Sequence, residues 1–72
     1  MKLLSAQIGS IYRINDILLD KKVRHRLQIL GMTKNTEIVL LNKKYSGTVI
    51  IKVRGTRFAL GSKYAQGITL KV

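Results

Sequence analysis

The chain contains no cysteine, no proline and no tryptophan, and it has one histidine and three acidic residues. Each shortage removes a class of structure or chemistry. Without cysteine there is no disulfide framework and no thiolate metal site to supplement a small core. One histidine and three scattered carboxylates leave little from which to build a metal centre or an acid–base pair. No apolar run approaches the roughly 20 residues that a membrane-spanning helix needs. The N-terminal stretch from Met1 to Gly9 has one positive charge but an apolar portion too short and broken for a signal peptide. The expectation is a soluble, cytoplasmic chain, since the lack of cysteine also suits a reducing compartment.

Fourteen Lys and Arg stand against those three acids, a net charge of +11 on 72 residues. A field of this size draws nucleic acid, anionic lipid headgroups or an acidic protein surface, and it also keeps a small protein in solution. The length allows a single domain over residues 1–72. A chain this short buries only about 60% of the surface exposed when unfolded. Hydrophobic types make up 46% of it, enough for a small barrel but not for a large internal ligand cavity.

Along the chain, residues 3–9 read as a turn that feeds a first strand at 10–16. Asp20 suits a helix N-cap. Val23, Leu27 and Leu30 then recur at spacings of four and three, which places them on one face of a helix spanning residues 21–30, ended by Gly31. From Thr36 the pattern turns to strands. Ile38 to Leu41 is a continuous apolar run, and residues 42–47 form a polar loop. Val49, Ile51 and Val53 alternate with Ile50, Lys52 and Arg54. Arg54 to Arg57 predicts a tight hairpin with Gly55 at its first central position, followed by inward Phe58 and Leu60. Residues 61–66 make a turn, and Ile68, Leu70 and Val72 alternate with Thr69 and Lys71. The fold class predicted is mostly β with one short helix. It is best fitted by an SH3-like small β-barrel, with an OB-like barrel as rival and barrel closure removing the sheet edges.

No catalytic site is expected. His25 lies between Arg24 and Arg26, with Lys21, Gln28 and Ile29 at helical spacing, so no ligand partner accompanies it. Asp16, Asp20 and Glu37 each have a local role as strand end, helix cap and strand start. The serines lack an elbow context, and the glycines form neither a phosphate loop nor a dinucleotide fingerprint. No metal and no cofactor are expected. A nucleic-acid-binding barrel would interleave aromatics with basic residues on an outward face. Of Tyr12, Tyr45, Phe58 and Tyr64, only Phe58 lies firmly in a strand, and it points inward, so nucleic acid is the weaker partner class.

The helix and the residues after it make the most distinctive surface. Lys22, Arg24 and Arg26 lie beside the apolar Ile29 and Met32, with Lys34 following, and these six residues are the candidate partner-binding set. The alternative for Ile29 and Met32, given equal weight, is that they plug the end of the barrel.

The run Leu27-Gln28-Ile29-Leu30-Gly31-Met32-Thr33-Lys34-Asn35-Thr36-Glu37-Ile38 resembles the L-x-x-L-G-[LM]-x-P-G-[TS]-x-[IV] signature of the ferrous iron transport protein A (FeoA) family. Val49 to Leu60 resembles that family's I-x-[IV]-x-[VL]-x-G-x-x-[IL]-x-[LI] stretch. Arg24 and Arg26 resemble its basic helix, and Ala65, the closing residues 68–72 and the opening turn continue the likeness over nearly the whole chain. Lys34 and Asn35 replace the usual proline and glycine, and Asn35 can keep a left-handed turn. The resemblance implies an SH3-like barrel. It implies an accessory at the inner face of the membrane, with the G-protein-like cytoplasmic region of the ferrous iron transporter FeoB as its partner. The anionic inner leaflet is a further candidate surface. The same barrel type occurs in iron-dependent repressors, which leaves a regulatory-domain reading behind the adaptor one, because no helix-turn-helix precedes it in this sequence.

Overall fold

The structure is a computed structural model that describes residues 1–71. A 3-10 turn at Leu3–Ser5 leads into β1 (Ile11–Ile17), α1 (Lys21–Ile29), β2 (Glu37–Lys43), β3 (Val49–Val53), β4 (Thr56–Leu60), α2 (Ser62–Ala65) and β5 (Ile68–Lys71). The five strands form one antiparallel sheet in the order β4-β3-β2-β1-β5. Two register shifts help it curl into a small barrel-like body. One lies between Ile14 and Asp16 on the β1–β5 ladder and one between Leu40 and Asn42 on β2–β3. The first explains why β1 does not alternate cleanly. Ile14 and Ile17 are both buried, although three positions apart, because the bulge around Asn15 resets the inward face.

The core is continuous. Leu3, Ile14, Met32, Ile38, Leu40, Ile51, Ile68 and Leu70 are its largest members, and Tyr12, Val23 and Phe58 pack against it from half-buried positions. Inward Val49, Ile51 and Val53 match the alternation of the sequence. The expected closure of the barrel is incomplete, because β4 and β5 are not paired with each other.

Local chemistry sets the turns. The β3–β4 connection is a two-residue hairpin closed by Val53 and Thr56, with Arg54 (φ 51) and Gly55 (φ 82) both left-handed. That combination is the preferred hairpin geometry, and it puts Gly55 second rather than first among the central residues. Asp20 caps α1, its Oδ1 accepting from Lys22 N–H at 2.8 Å. The helix ends at Ile29 with Leu30 as C-cap. Gly31 N–H then donates to the Gln28 carbonyl (3.0 Å) and Met32 N–H to the Leu27 carbonyl (2.9 Å). This is the Schellman arrangement, in which the residue after the left-handed glycine folds back onto the last helical turn. It carries Met32 inward beside Leu27, and both are core residues. The predicted strand at 10–16 is shifted by one residue, and the polar loop expected from Asn42 begins after Lys43. Val72, expected to complete the alternation of the last strand, lies outside the described residues.

Candidate functional site

Four of the candidate partner-binding residues lie together on α1. Lys22, Arg24, Arg26 and Ile29 are all exposed, and Ile29 keeps 72% of its surface accessible although it is aliphatic. They lie there because the helix turns its other side, Leu27 and part of Val23, onto the sheet. Lys21, Lys22, Arg24, His25, Arg26 and Gln28 line one wide, shallow surface of about 630 Å3. Among the described residues one ion pair forms, Arg13 with Glu37 at 3.5 Å, and no cation of α1 takes part in it. The basic charge of the helix is therefore unspent within the fold.

Lys34 is exposed in the turn after the helix, where Thr36 N–H donates to the Thr33 carbonyl (3.0 Å) and Asn35 is left-handed with φ 71. Arg24 links the two parts, since it also lines a small cleft of about 80 Å3 with Asp16, Gln28, Thr33 and Lys34. Met32 does not belong to this surface. It has no exposed area, so its place in the candidate set is corrected: the Schellman turn makes it a core residue.

Leu30, expected on the buried helical face, is 48% exposed. It lines a groove of about 280 Å3 between α1 and the end of β4, together with Val23, Arg26, Leu27, Ala59 and Tyr64. The sequence hid this feature because a residue on the inward stripe of a helix can either meet the core or overhang its margin. Periodicity does not distinguish the two. Tyr64, read as a turn residue, stands on α2 and forms another wall of the groove.

The three acids are locally engaged. Asp16 accepts from Ile17 N–H at 2.9 Å, Asp20 caps α1, and Glu37 pairs with Arg13. Among the described residues no three His, Cys, Asp or Glu side chains come together as metal ligands, and His25 has basic neighbours. The four aromatics lie on β1, the β2–β3 loop, β4 and α2. Tyr12 uses its hydroxyl to accept from Gln7 N–H at 2.9 Å, so the sheet offers no row of stacking rings. Among the described residues no helix is long and apolar enough to cross a membrane.

Comparison with known proteins follows the same outline. The FeoA domain model matches residues 1–72. The chain is similar to the FeoA-like protein of Clostridium acetobutylicum, at 26% identity over 100% of this chain and 85% of that one, with TM-score 0.82. It is similar to the zinc-complexed FeoA of Stenotrophomonas maltophilia, described as a prokaryotic SH3 domain protein and a proposed ferrous iron transport activating factor. That likeness has 24% identity over 99% of this chain and 89% of that one, with TM-score 0.82. A manganese-dependent transcriptional repressor shares the fold at 18% identity and TM-score 0.85, over 94% of this chain and 39% of the repressor. No curated protein sequence matches the chain. The fold is thus the SH3-like small barrel, mostly β with one short helix. A match that runs from the first residue to the last, on a sheet that superposes with solved FeoA proteins, makes this chain a member of the FeoA family, which is linked to ferrous iron transport.

Proposed function

We propose that the chain is a non-catalytic cytoplasmic accessory of ferrous iron uptake that docks on the G-protein-like region of a FeoB-type transporter. The single observation that carries this reading is the exposed cationic side of α1, with no internal ion pair, next to the solvent-facing Ile29. Lys22, Arg24 and Arg26 supply long-range attraction and orientation towards an acidic surface. Arginine forks match carboxylates bidentately, and Ile29 adds a short-range apolar contact. Lys34 extends the same charge past the helix end through the cleft it shares with Arg24. The transported iron is cargo of the partner, and the described residues of this chain offer it no ligand cluster.

The anionic inner leaflet fits the same charge, and basic residues near such a surface contribute about 1 kcal/mol each. It would hold the domain near its membrane partner without competing for Ile29. The test is a titration of the chain into the transporter's isolated cytoplasmic portion at low and at moderate salt. Saturable binding that weakens as salt rises supports the reading, and absence of binding at both salts removes it.

A further inference from the structure

The sheet ends differently on its two sides. At the β5 margin the first two residues act as an extra strand: Leu70 N–H donates to the Met1 carbonyl (2.6 Å), and Lys2 bridges Thr69. At the other margin β4 has one neighbour, β3. The registers Val53↔Thr56, Ile51↔Phe58 and Val49↔Leu60 belong to a two-residue hairpin. Thr56, Phe58 and Leu60 therefore direct their backbone groups towards β3, whereas Arg57 and Ala59 present theirs outward. Two of the usual guards against strand addition are missing, since β4 has no proline and its ladder with β3 runs without a bulge. The guard it keeps is the charge of Arg57, which opposes a basic strand but not an acidic one. The groove formed with Val23, Leu27, Leu30 and Tyr64 opens at the same place, beside Ala59.

We propose that the β4 edge and this groove form a binding site for an extended acidic peptide segment, which adds to the sheet as a sixth strand. The site has the two parts that strand addition requires, a row of free main-chain groups and a pocket for alternate side chains. One set of alternating side chains of the incoming segment enters the apolar groove. The other set lies over the outer sheet face, where Arg57 is registered against Lys52 and both are exposed. Arg26 stands on the groove wall. The occupant is accordingly apolar at every second position and acidic between them. Charge disfavours a second copy of the chain, since two such edges would bring Arg57 against Arg57 between bodies that each carry +11. At about 280 Å3 the groove falls just below the range of small-molecule pockets, roughly 300–1,000 Å3, and as a trough it suits side chains of a strand better. This inference rests on the reading of the chain as a docking module and specifies the form of the partner's docking segment.

The probe is a synthetic ten-residue peptide that alternates glutamate with valine and leucine, with two derivatives N-methylated on one or the other alternate set of amides. Strand addition uses one set only. The expected result is that one derivative binds like the parent and the other loses at least tenfold in affinity, while the Arg57 and Ala59 amide protons exchange at least tenfold more slowly in the complex. Ala59→Pro removes an outward N–H without touching the β3 ladder, and it should weaken parent binding at least tenfold. The methylated peptides keep the test valid if that variant folds poorly. The proposal is overturned if the parent peptide does not bind, if both derivatives bind like the parent, or if the two amides gain no protection. A chain that sediments as a dimer at the concentrations used would assign the edge to a second copy and overturn it too. Should the peptide fail while the transporter's cytoplasmic portion still binds the chain, the edge is excluded and the docking function stands.

Discussion

The two sides of the segment from Lys21 to Lys34 are built for different purposes. On the inner side Val23, Leu27 and Met32 hold the helix to the sheet, helped by the Asp20 cap at one end and the Schellman turn at the other. On the outer side Lys22, Arg24, Arg26 and Ile29 are exposed, and among the described residues none of the three cations forms an ion pair. Most of the core belongs to the strands, so α1 is a light attachment to a body that the sheet already defines. The difference teaches where change is tolerated. The inner residues answer to packing, and the outer ones are free to answer to a partner.

Substitutions along this segment can break or sharpen that contrast. The largest effect is expected at Met32. Met32→Lys buries an unpaired charge, and in so small a domain the thin stability margin should be lost entirely. Loss of the cooperative thermal transition in circular dichroism would show it. Met32→Ala should cost about 2–5 kcal/mol by urea unfolding. Next comes Gly31→Ala. Gly31 has φ +96, so the backbone opposes any side chain there, whereas the exposed Arg54 side chain, 3.1 Å from an added Cβ, can shift aside. A loss of more than about 1 kcal/mol is expected from the same unfolding measurement. Lys34→Pro has the opposite sign. Lys34 is the second residue of the Thr33–Thr36 turn, where a ring that fixes φ suits the geometry, and a gain of about 0.4–1 kcal/mol is expected. The smallest effect on stability belongs to Ile29→Ser, within about 0.5 kcal/mol, while partner binding weakens. A loss of several kcal/mol at Ile29 would erase the distinction between the two sides.

Much of this was legible in the residues. The Val49-Ile51-Val53 alternation, the Asp20 cap and the Gly31 stop each have one physical meaning, and the structure realises all three. The candidate surface was legible as a set of residue types but not as a set of exposures. Ile29 and Met32 are apolar neighbours of the same basic cluster, yet one is 72% exposed and the other fully buried. The reversal of the chain at Gly31 separates them, a six-residue hydrogen-bond pattern that no apolar period encodes. The Arg54-Gly55 hairpin slipped by one position for a related reason, because arginine rarely takes the left-handed conformation that Asn or Gly normally occupies there. The groove and the open β4 edge lay beyond sequence reasoning, because they depend on which strands end without a neighbour.

The most direct test of the account separates a site from a field. Two double variants, Arg24→Glu with Arg26→Glu and Lys44→Glu with Lys71→Glu, lower the net charge equally at exposed positions, and only the first alters α1. Their affinities for the transporter's cytoplasmic portion, measured at one moderate salt concentration, decide the matter. The account predicts at least a tenfold loss for the helix pair and a much smaller loss for the control pair. Equal losses would mean that the charge acts as a whole, and that α1 is not the docking surface.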